Sequence, residues 1–202
     1  MNHQDDKLFA PACARNQPYI RDVLSRILTE PGEVLEVGSG TGQHAAYFSA
    51  HLPHLQWRPS DLPDNLASIE AWRREADLPN LRAPEVLDLE NAGDRREPVR
   101  YLVCINTVHI VGWPLVESLF GLAGRLLESG GVLFCYGPYR YADRPLEPSN
   151  EQFDRMLRTR DPRSGIRLFE DVDRLAAANG LRHEGDEAMP ANNRSVWWRK
   201  TE

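Results

Sequence analysis

Between an apolar run, Val34-Leu35-Glu36-Val37, and a helically patterned segment from Gln43 to Leu52, three glycines fall on alternate positions in Gly38-Ser39-Gly40-Thr41-Gly42. No other stretch constrains the chain as much. A strand that enters a helix through such a loop must turn sharply, and glycines let its backbone approach a ligand that side chains would exclude. The bland alternative is a tight strand-to-helix turn. A dinucleotide fingerprint, G-x-G-x-x-G, accommodates Gly38 and Gly40, but its sixth place holds Gln43 and the third glycine falls one residue early, at Gly42.

The surrounding pattern alternates strands with helices. Ile20, Val23, Leu24, Ile27 and Leu28 recur at helical spacing from Asn16 to Leu28, and Pro31-Gly32 stops that helix. After the glycine loop and its helix, Leu55 to Ser60 reads as a second strand ending at Asp61, Asp64 to Ala76 as a helix, and Val86-Leu87 as a short third strand. Tyr101 to Asn106 is a fourth strand and Pro114 to Leu127 a helix, which Gly130-Gly131 is expected to end before a fifth strand at Val132 to Tyr136. Ser149-Asn150-Glu151-Gln152 matches a capping box for a helix to about Arg160. A helix from Phe169 to Asn179 precedes two strands, Leu181 to Ala188 and Ser195 to Arg199. This order predicts an α/β fold: one domain with a doubly wound, mostly parallel seven-stranded sheet, Rossmann-like, its last strand antiparallel.

The length of 202 residues needs no second domain. With 41% hydrophobic and 27% charged residues, the chain is too hydrophobic for a disordered one. A net charge of −6 with both signs interspersed makes nucleic acid an unfavoured partner. The polar opening Met1-Asn2-His3-Gln4-Asp5-Asp6-Lys7 has no signal-peptide pattern and no apolar run reaches the length of a membrane span, so a cytoplasmic protein is expected. Cys13, Cys104 and Cys135 lack metal-like spacing, and the last two read as reduced core thiols; no metal is expected. Trp57, Trp72, Trp197 and Trp198 read as core or sheet-packing residues. Oligomeric state is not set by these features.

Asp61 closes the second strand 19 residues past Gly42, where a carboxylate can accept hydrogen bonds from both hydroxyls of a ribose. Capping the next turn is its structural alternative. The spacing Glu36-x-Gly38-x-Gly40-x-Gly42 resembles motif I of class I S-adenosylmethionine (SAM)-dependent methyltransferases, in which this loop lies against the amino-acid end of the cofactor. Asp88, in Leu87-Asp88-Leu89 after the third strand, resembles the adenine-binding acid of that class, with Leu89 offering backbone groups to the ring edge. Asp61 would also serve a nicotinamide enzyme, so the loop spacing and the acid after strand three decide, and they favour SAM, with S-adenosylhomocysteine as product.

The resemblance extends along nearly the whole chain. Phe9-Ala10-Pro11-Ala12-Cys13-Ala14-Arg15-Asn16, Cys104-Ile105-Asn106-Thr107-Val108-His109-Ile110, Tyr136-Gly137-Pro138-Tyr139, Glu147-Pro148-Ser149-Asn150-Glu151-Gln152-Phe153-Asp154 and Met189-Pro190-Ala191-Asn192-Asn193-Arg194 resemble the methyltransferase-like family known as domain of unknown function 938, which includes methyltransferase-like protein 26. That resemblance implies a methyltransferase fold without naming a substrate. Glu36, Gly38, Ser39, Gly40, Gly42, Asp61, Leu62, Asp88, Leu89 and Asn106 are the residues expected to hold the cofactor. Arg15 and Asn16, in an N-terminal segment over residues 1–30, could cover it and pair with its carboxylate, unless Asn16 only caps the first helix.

Methyl transfer asks a protein to align a nucleophile and, where needed, to remove its proton. Amino-methyltransferases of one class carry Asn-Pro-Pro-aromatic at the end of strand four; here Thr107-Val108-His109 follows Asn106, which disfavours methylation of nucleic-acid bases or protein amides. His109 occupies roughly the place where some small-molecule O-methyltransferases carry a basic histidine, and is the candidate base; a hydrogen-bonded wall histidine is the alternative. Loops after strands four, five and six should leave one edge of the sheet and hold a small polar substrate through Tyr139, Tyr141, Asn150, Phe153, Asn192, Asn193 and Arg194, with residues 140–168 as a lid-like insertion. The competing reading is a non-catalytic sensor of SAM or S-adenosylhomocysteine, or a partner-binding module.

Overall fold

Pro11 opens the first helix, α1 (Pro11–Ile27), at a position where the missing N–H costs nothing. The structure, a computed structural model, describes residues 6–92 and 97–201, so the first five residues of the polar opening fall outside it. The buried face of α1 is the periodic set Ile20, Val23 and Leu24. Its start lies five residues ahead of Asn16, because the first turns face solvent and carry no apolar signal. Arg15 and Asn16 therefore lie inside α1 rather than before it, and Asn16 does not cap the helix, whose N-cap is Ala10.

Contacts divide the chain into two units, one formed by residues up to Asp88 with Val99–Val103, the other by Leu89–Pro98 and the residues from Cys104 onward. The first unit holds α1, β1 (Gly32–Val37), α2 (Gln43–His51), β2 (Leu55–Asp61), α3 (Leu66–Ala76), the two-residue β3 (Glu85–Val86) and the opening of β4 (Val99–Ile105). Strand β1 pairs in parallel with β2, Gly32 opposite Leu55 and Val37 opposite Ser60. Strand β3 continues in parallel beside Ser60 and Asp61. Val34, Leu35, Phe48, Leu55 and Trp57 are inaccessible to solvent, and the Phe48 and Trp57 rings lie 5.4 Å apart. Trp72 departs from the expected core role: it is half-exposed, with Lys7 over its ring and its indole N–H donating to the Leu8 carbonyl at 2.8 Å.

The second unit continues with α4 (Trp113–Leu126), β5 (Leu127–Gly137), β6 (Tyr139–Arg140), α5 (Pro148–Arg160), β7 (Arg167–Leu168), α6 (Phe169–Ala178), β8 (Leu181–Met189) and β9 (Asn193–Lys200). Val116, Leu119, Phe120 and Ala123 form the buried stripe of α4, and Phe120 meets Trp198 edge-on at 5.3 Å. Each large side chain so buried contributes about 1.5–3 kcal/mol. Strand β9 runs antiparallel to β5 and to β8. Trp198 is fully buried, Trp197 half-buried, and Cys104 and Cys135 are free thiols in the core.

Two expectations about this unit are corrected. Gly130 and Gly131 do not end a helix: α4 stops at Leu126 and both glycines lie within β5. The capping box at Ser149 to Gln152 does not form, because Pro148 starts α5 two residues before the Asn150 start that the box requires, and the N-cap, Glu147, makes no side-chain cap bond. The small parallel pair β6–β7 was not expected, each strand being too short to show a pattern.

Seven strands in the order β3-β2-β1-β4-β5-β9-β8 form one mixed sheet, mostly parallel, with alternating helices, as the sequence predicts. Among the described residues no helix is long and apolar enough to cross a membrane.

Candidate functional site

The glycine loop is held from below by the end of β2. Gly38 and Ser39 both donate their N–H to the Ser60 carbonyl at 3.0 Å, and the Ser60 hydroxyl donates to the Glu36 carbonyl at 2.6 Å. Glu36, 1% exposed, accepts on Oε2 from the Ser39 hydroxyl at 2.9 Å and the Trp57 indole N–H at 3.0 Å. Burial pushes its carboxyl up to about 7, against the lowering effect of those two donors. Gly40 and Gly42 both have left-handed backbones, with φ of 57° and 91°. They differ in surroundings. A Cβ on Gly42 would meet the Ile69 Cα at 2.7 Å, whereas one on Gly40 would enter open space. Gly42 thus packs α2 onto α3, and Gly40 keeps one side of the loop clear.

Asp61 ends β2 with only 8% exposure. Its Oδ2 accepts from the Gly40 N–H at 2.7 Å, and its Oδ1 from the Leu62 N–H at 2.7 Å and the Asn65 amide at 2.8 Å. A carboxylate offers about four acceptor positions, so one remains, on Oδ2, unless Asn65 moves away. Leu62 is exposed and Asp88 half-buried, two residues beyond β3.

The N-terminal segment is tied to this same loop. Leu8 donates to the Ser68 hydroxyl at 2.9 Å, and that hydroxyl donates to the Thr41 carbonyl at 2.7 Å. The Ala10 N–H donates to the Gln43 side chain, which also accepts from the Thr41 hydroxyl. Arg15 is exposed on α1, and Asn16 Oδ1 lies 2.8 Å from Nε2 of His44, whose burial lowers its pKa to about 4 and keeps the ring neutral.

In the second unit, Asn106 leaves β4 with φ 57° and donates its N–H to the Tyr136 carbonyl at 2.8 Å. His109 follows, 3% exposed, its pKa lowered to about 4 by burial and then by the Arg167 charge. A Cβ on Gly137 would lie 2.9 Å from its Nδ1, so that glycine admits the imidazole. Phe153 of α5 meets the ring edge-on at 5.6 Å. The backbone here is clamped from one segment. Gly165 donates its N–H to the His109 carbonyl at 2.9 Å, Ser164 its hydroxyl to that of Ile110, and Arg167 reaches those of Val108 and Val111. Four successive carbonyls are thereby satisfied. Arg167 and Ser164 carry no sequence signal, because this bonding pairs segments more than 50 residues apart.

Six of the seven expected substrate residues line one cavity of about 200 Å³ in this unit: Tyr139, Tyr141, Asn150, Asn192, Asn193 and Arg194. The seventh, Phe153, is against His109 instead. Asn150 donates its amide to the Asn192 carbonyl at 3.0 Å, and the Asn192 amide donates to the Ser149 hydroxyl at 3.0 Å, joining α5 to the β8–β9 connection. Asn192 has φ 56°, so it serves as a turn residue as well. Arg140 and Arg144, also in the lining, were missed because isolated arginines in a polar loop read as solvated. Leu89, on the chain of this unit, is buried.

The profile of the Protein of unknown function (DUF938) family matches residues 7–200, and the chain belongs to that family. Its structure is similar to an O-methyltransferase family protein from Burkholderia thailandensis (TM-score 0.78, 16% identity, 95% of this chain and 58% of the other). It is also similar to the S-adenosylmethionine-dependent methyltransferase SibL (TM-score 0.80, 19% identity, 94% and 56%). A third similar structure is human N-acetylserotonin methyltransferase in complex with SAM (TM-score 0.70, 15% identity, 92% and 55%). The chain thus has the Rossmann-like class I methyltransferase fold and spans little more than half the length of these proteins.

Proposed function

We propose that this member of the DUF938 family is a SAM-dependent methyltransferase acting on a small polar molecule, with S-adenosylhomocysteine as its product. The observation that carries this reading is the glycine loop bonded to the strand-ending acid, Gly40 N–H to Asp61, with open space where a Gly40 side chain would be. Such a loop accommodates a ligand's backbone-hugging end, and the remaining acceptor position of Asp61 suits a ribose hydroxyl. Gly38, Ser39, Gly40 and Gly42 then shape the loop over buried Glu36, and Leu62 lies beside the ribose. Asp88 and Leu89 take the adenine, and Asn106 is a further cofactor contact. Arg15 and Asn16, on a segment of residues 1–30 tied to the loop through Ser68 and Gln43, cover the amino-acid end.

When bound, SAM supplies an electrophilic methyl group. The protein's own task is to orient the acceptor and manage its proton. His109 is neutral at physiological pH and offers a lone pair to an acceptor's hydroxyl or amine; with a pKa near 4 it orients that group and takes the proton only as it is released. Tyr139, Tyr141, Asn150, Asn192, Asn193 and Arg194 hold the acceptor, and residues 140–168, including Phe153, act as its lid and exclude water. In an open parallel sheet, loops at the strands' carboxyl ends form the site, and in the second unit β5 and β8, both antiparallel to β9, carry such loops at one edge. A single domain working in the cytoplasm fits the free buried cysteines.

The test is calorimetric titration with SAM, S-adenosylhomocysteine, NAD and NADP, followed by incubation of a metabolite extract with methyl-labelled SAM. Binding of the first two with label incorporated into small molecules supports the enzyme. Binding without incorporation supports the sensor reading, and binding of NAD alone contradicts both.

A further inference from the structure

We propose that the cavity lined by Tyr141, Arg140 and Arg144 is an oxyanion pocket, so that the molecule it takes is a small organic acid or phosphate ester with an apolar body. The identification of that molecule as the methyl acceptor rests on the methyltransferase reading; the anion preference does not.

Charge is the first argument. Three arginines line the cavity, Arg140, Arg144 and Arg194, against one carboxylate, the exposed Glu147. Arg194 is neutralised: its Nε donates to Asp186 Oδ1 at 2.6 Å and an Nη to the Asp186 carbonyl at 3.1 Å. The charges of Arg140 and Arg144 are less spent. The nearest carboxylate oxygen recorded for Arg140, on Asp154, is 3.7 Å away, while Asp154 takes shorter bonds from Arg158 at 2.9 Å and the Ile166 N–H at 2.6 Å. Arg144 is only 3.9 Å from the exposed Asp143.

The donors are also placed for use. Arg140 Nε is buried without a hydrogen-bond partner, a condition that costs free energy, while the rest of its side chain, 42% exposed, lines the cavity. The Arg144 guanidinium carbon lies 3.9 Å from the Tyr141 ring centroid, a cation–π contact that uses none of its N–H donors. Tyr141 is itself fixed by donating its hydroxyl to Asp186 at 2.6 Å. Planar forks of this type match carboxylate and phosphate oxygens two at a time. Pro145, Leu146 and Met189 add apolar surface to the lining. A volume of about 200 Å³ lies below that of drug-sized sites, so the body is a metabolite of one ring or a short chain.

The experiment is calorimetry on the full chain, loaded with S-adenosylhomocysteine, using three one-ring probes of similar size: 4-hydroxybenzoate, phenyl phosphate and the neutral 4-hydroxybenzamide. The anions should bind about tenfold or more tighter than the amide, since a charge-assisted hydrogen bond supplies that much. Phenyl phosphate ahead of benzoate would identify a phosphate ester; the reverse order would identify a carboxylic acid. Arg144→Gln and Arg140→Gln should erase the preference and Glu147→Gln should increase it, and the exposure of Arg144 and Glu147 spares the core in those two variants. Equal affinity for all three probes, or a preference untouched by both arginine variants, overturns the pocket. Because S-adenosylhomocysteine affinity is measured on the same samples, its absence would count against the methyltransferase reading and leave the anion preference standing.

Discussion

The backbone N–H of Gly40 donates to Oδ2 of Asp61 across 2.7 Å, joining the loop after β1 to the last residue of β2. Through that bond a residue chosen for its missing side chain and one chosen for its charge become parts of one structure. The two flanking glycine requirements separate by experiment. Gly42→Ala would drive a methyl group to 2.7 Å from the Ile69 backbone, and it should destabilise the fold by about 2 kcal/mol or more in urea unfolding. Gly40→Ala meets only the left-handed backbone penalty, about 1–2 kcal/mol, and should fold while losing affinity for SAM. Equal stability losses with intact SAM binding in Gly40→Ala would contradict this division.

Glu36 makes stability depend on pH. Its folded pKa, about 7, lies above the ordinary 4.5, so between those values the native state binds the extra proton. Its contribution is full below about pH 4.5 and is lost as pH rises through 7. Glu36→Gln keeps the acceptor for Ser39 and Trp57 without the charge. Relative to that variant, the natural chain should lose on the order of a few kcal/mol between pH 4.5 and 7, and little beyond pH 8. A stability difference that is the same at pH 5 and pH 8 would refute the assignment. His44, with its pKa lowered to about 4, acts in the opposite sense from pH 4 to 6.5 in both proteins and cancels in the comparison.

Arg167 is a positioning residue for His109. Arg167→Met removes the donors to the Val108 and Val111 carbonyls, and urea unfolding should show a loss of about 1–3 kcal/mol for polar groups left unpaired. SAM affinity should be unchanged, while methyl transfer falls. Turnover equal to that of the natural chain would show that the 164–167 clamp does not position His109.

What the sequence revealed and what it concealed follow from the range of each interaction. The glycine loop and Asp61 were legible because their geometry is set within a single βα turn and the strand beside it. The α1 start was missed because Pro11 through Gln17 bury little, and only the apolar residues from Ile20 onward carry a period. Gly130 and Gly131 misled because glycine is a strong local stop signal, yet β5 begins at Leu127 and pairs with β9 from Val132 onward, a tertiary pairing with residues near position 199. Asn150 lines the cavity, while the capping box expected around it is displaced by Pro148 and the bond to Asn192.

The most direct test of the central claim is calorimetric titration of SAM into the natural chain and into Asp61→Ala. The natural chain should bind measurably and the variant should lose about 2–5 kcal/mol, roughly 30-fold or more in affinity, as expected when one partner of a buried, charged hydrogen-bonded set is removed. No heat with SAM or S-adenosylhomocysteine, or equal affinity in both proteins, would contradict it.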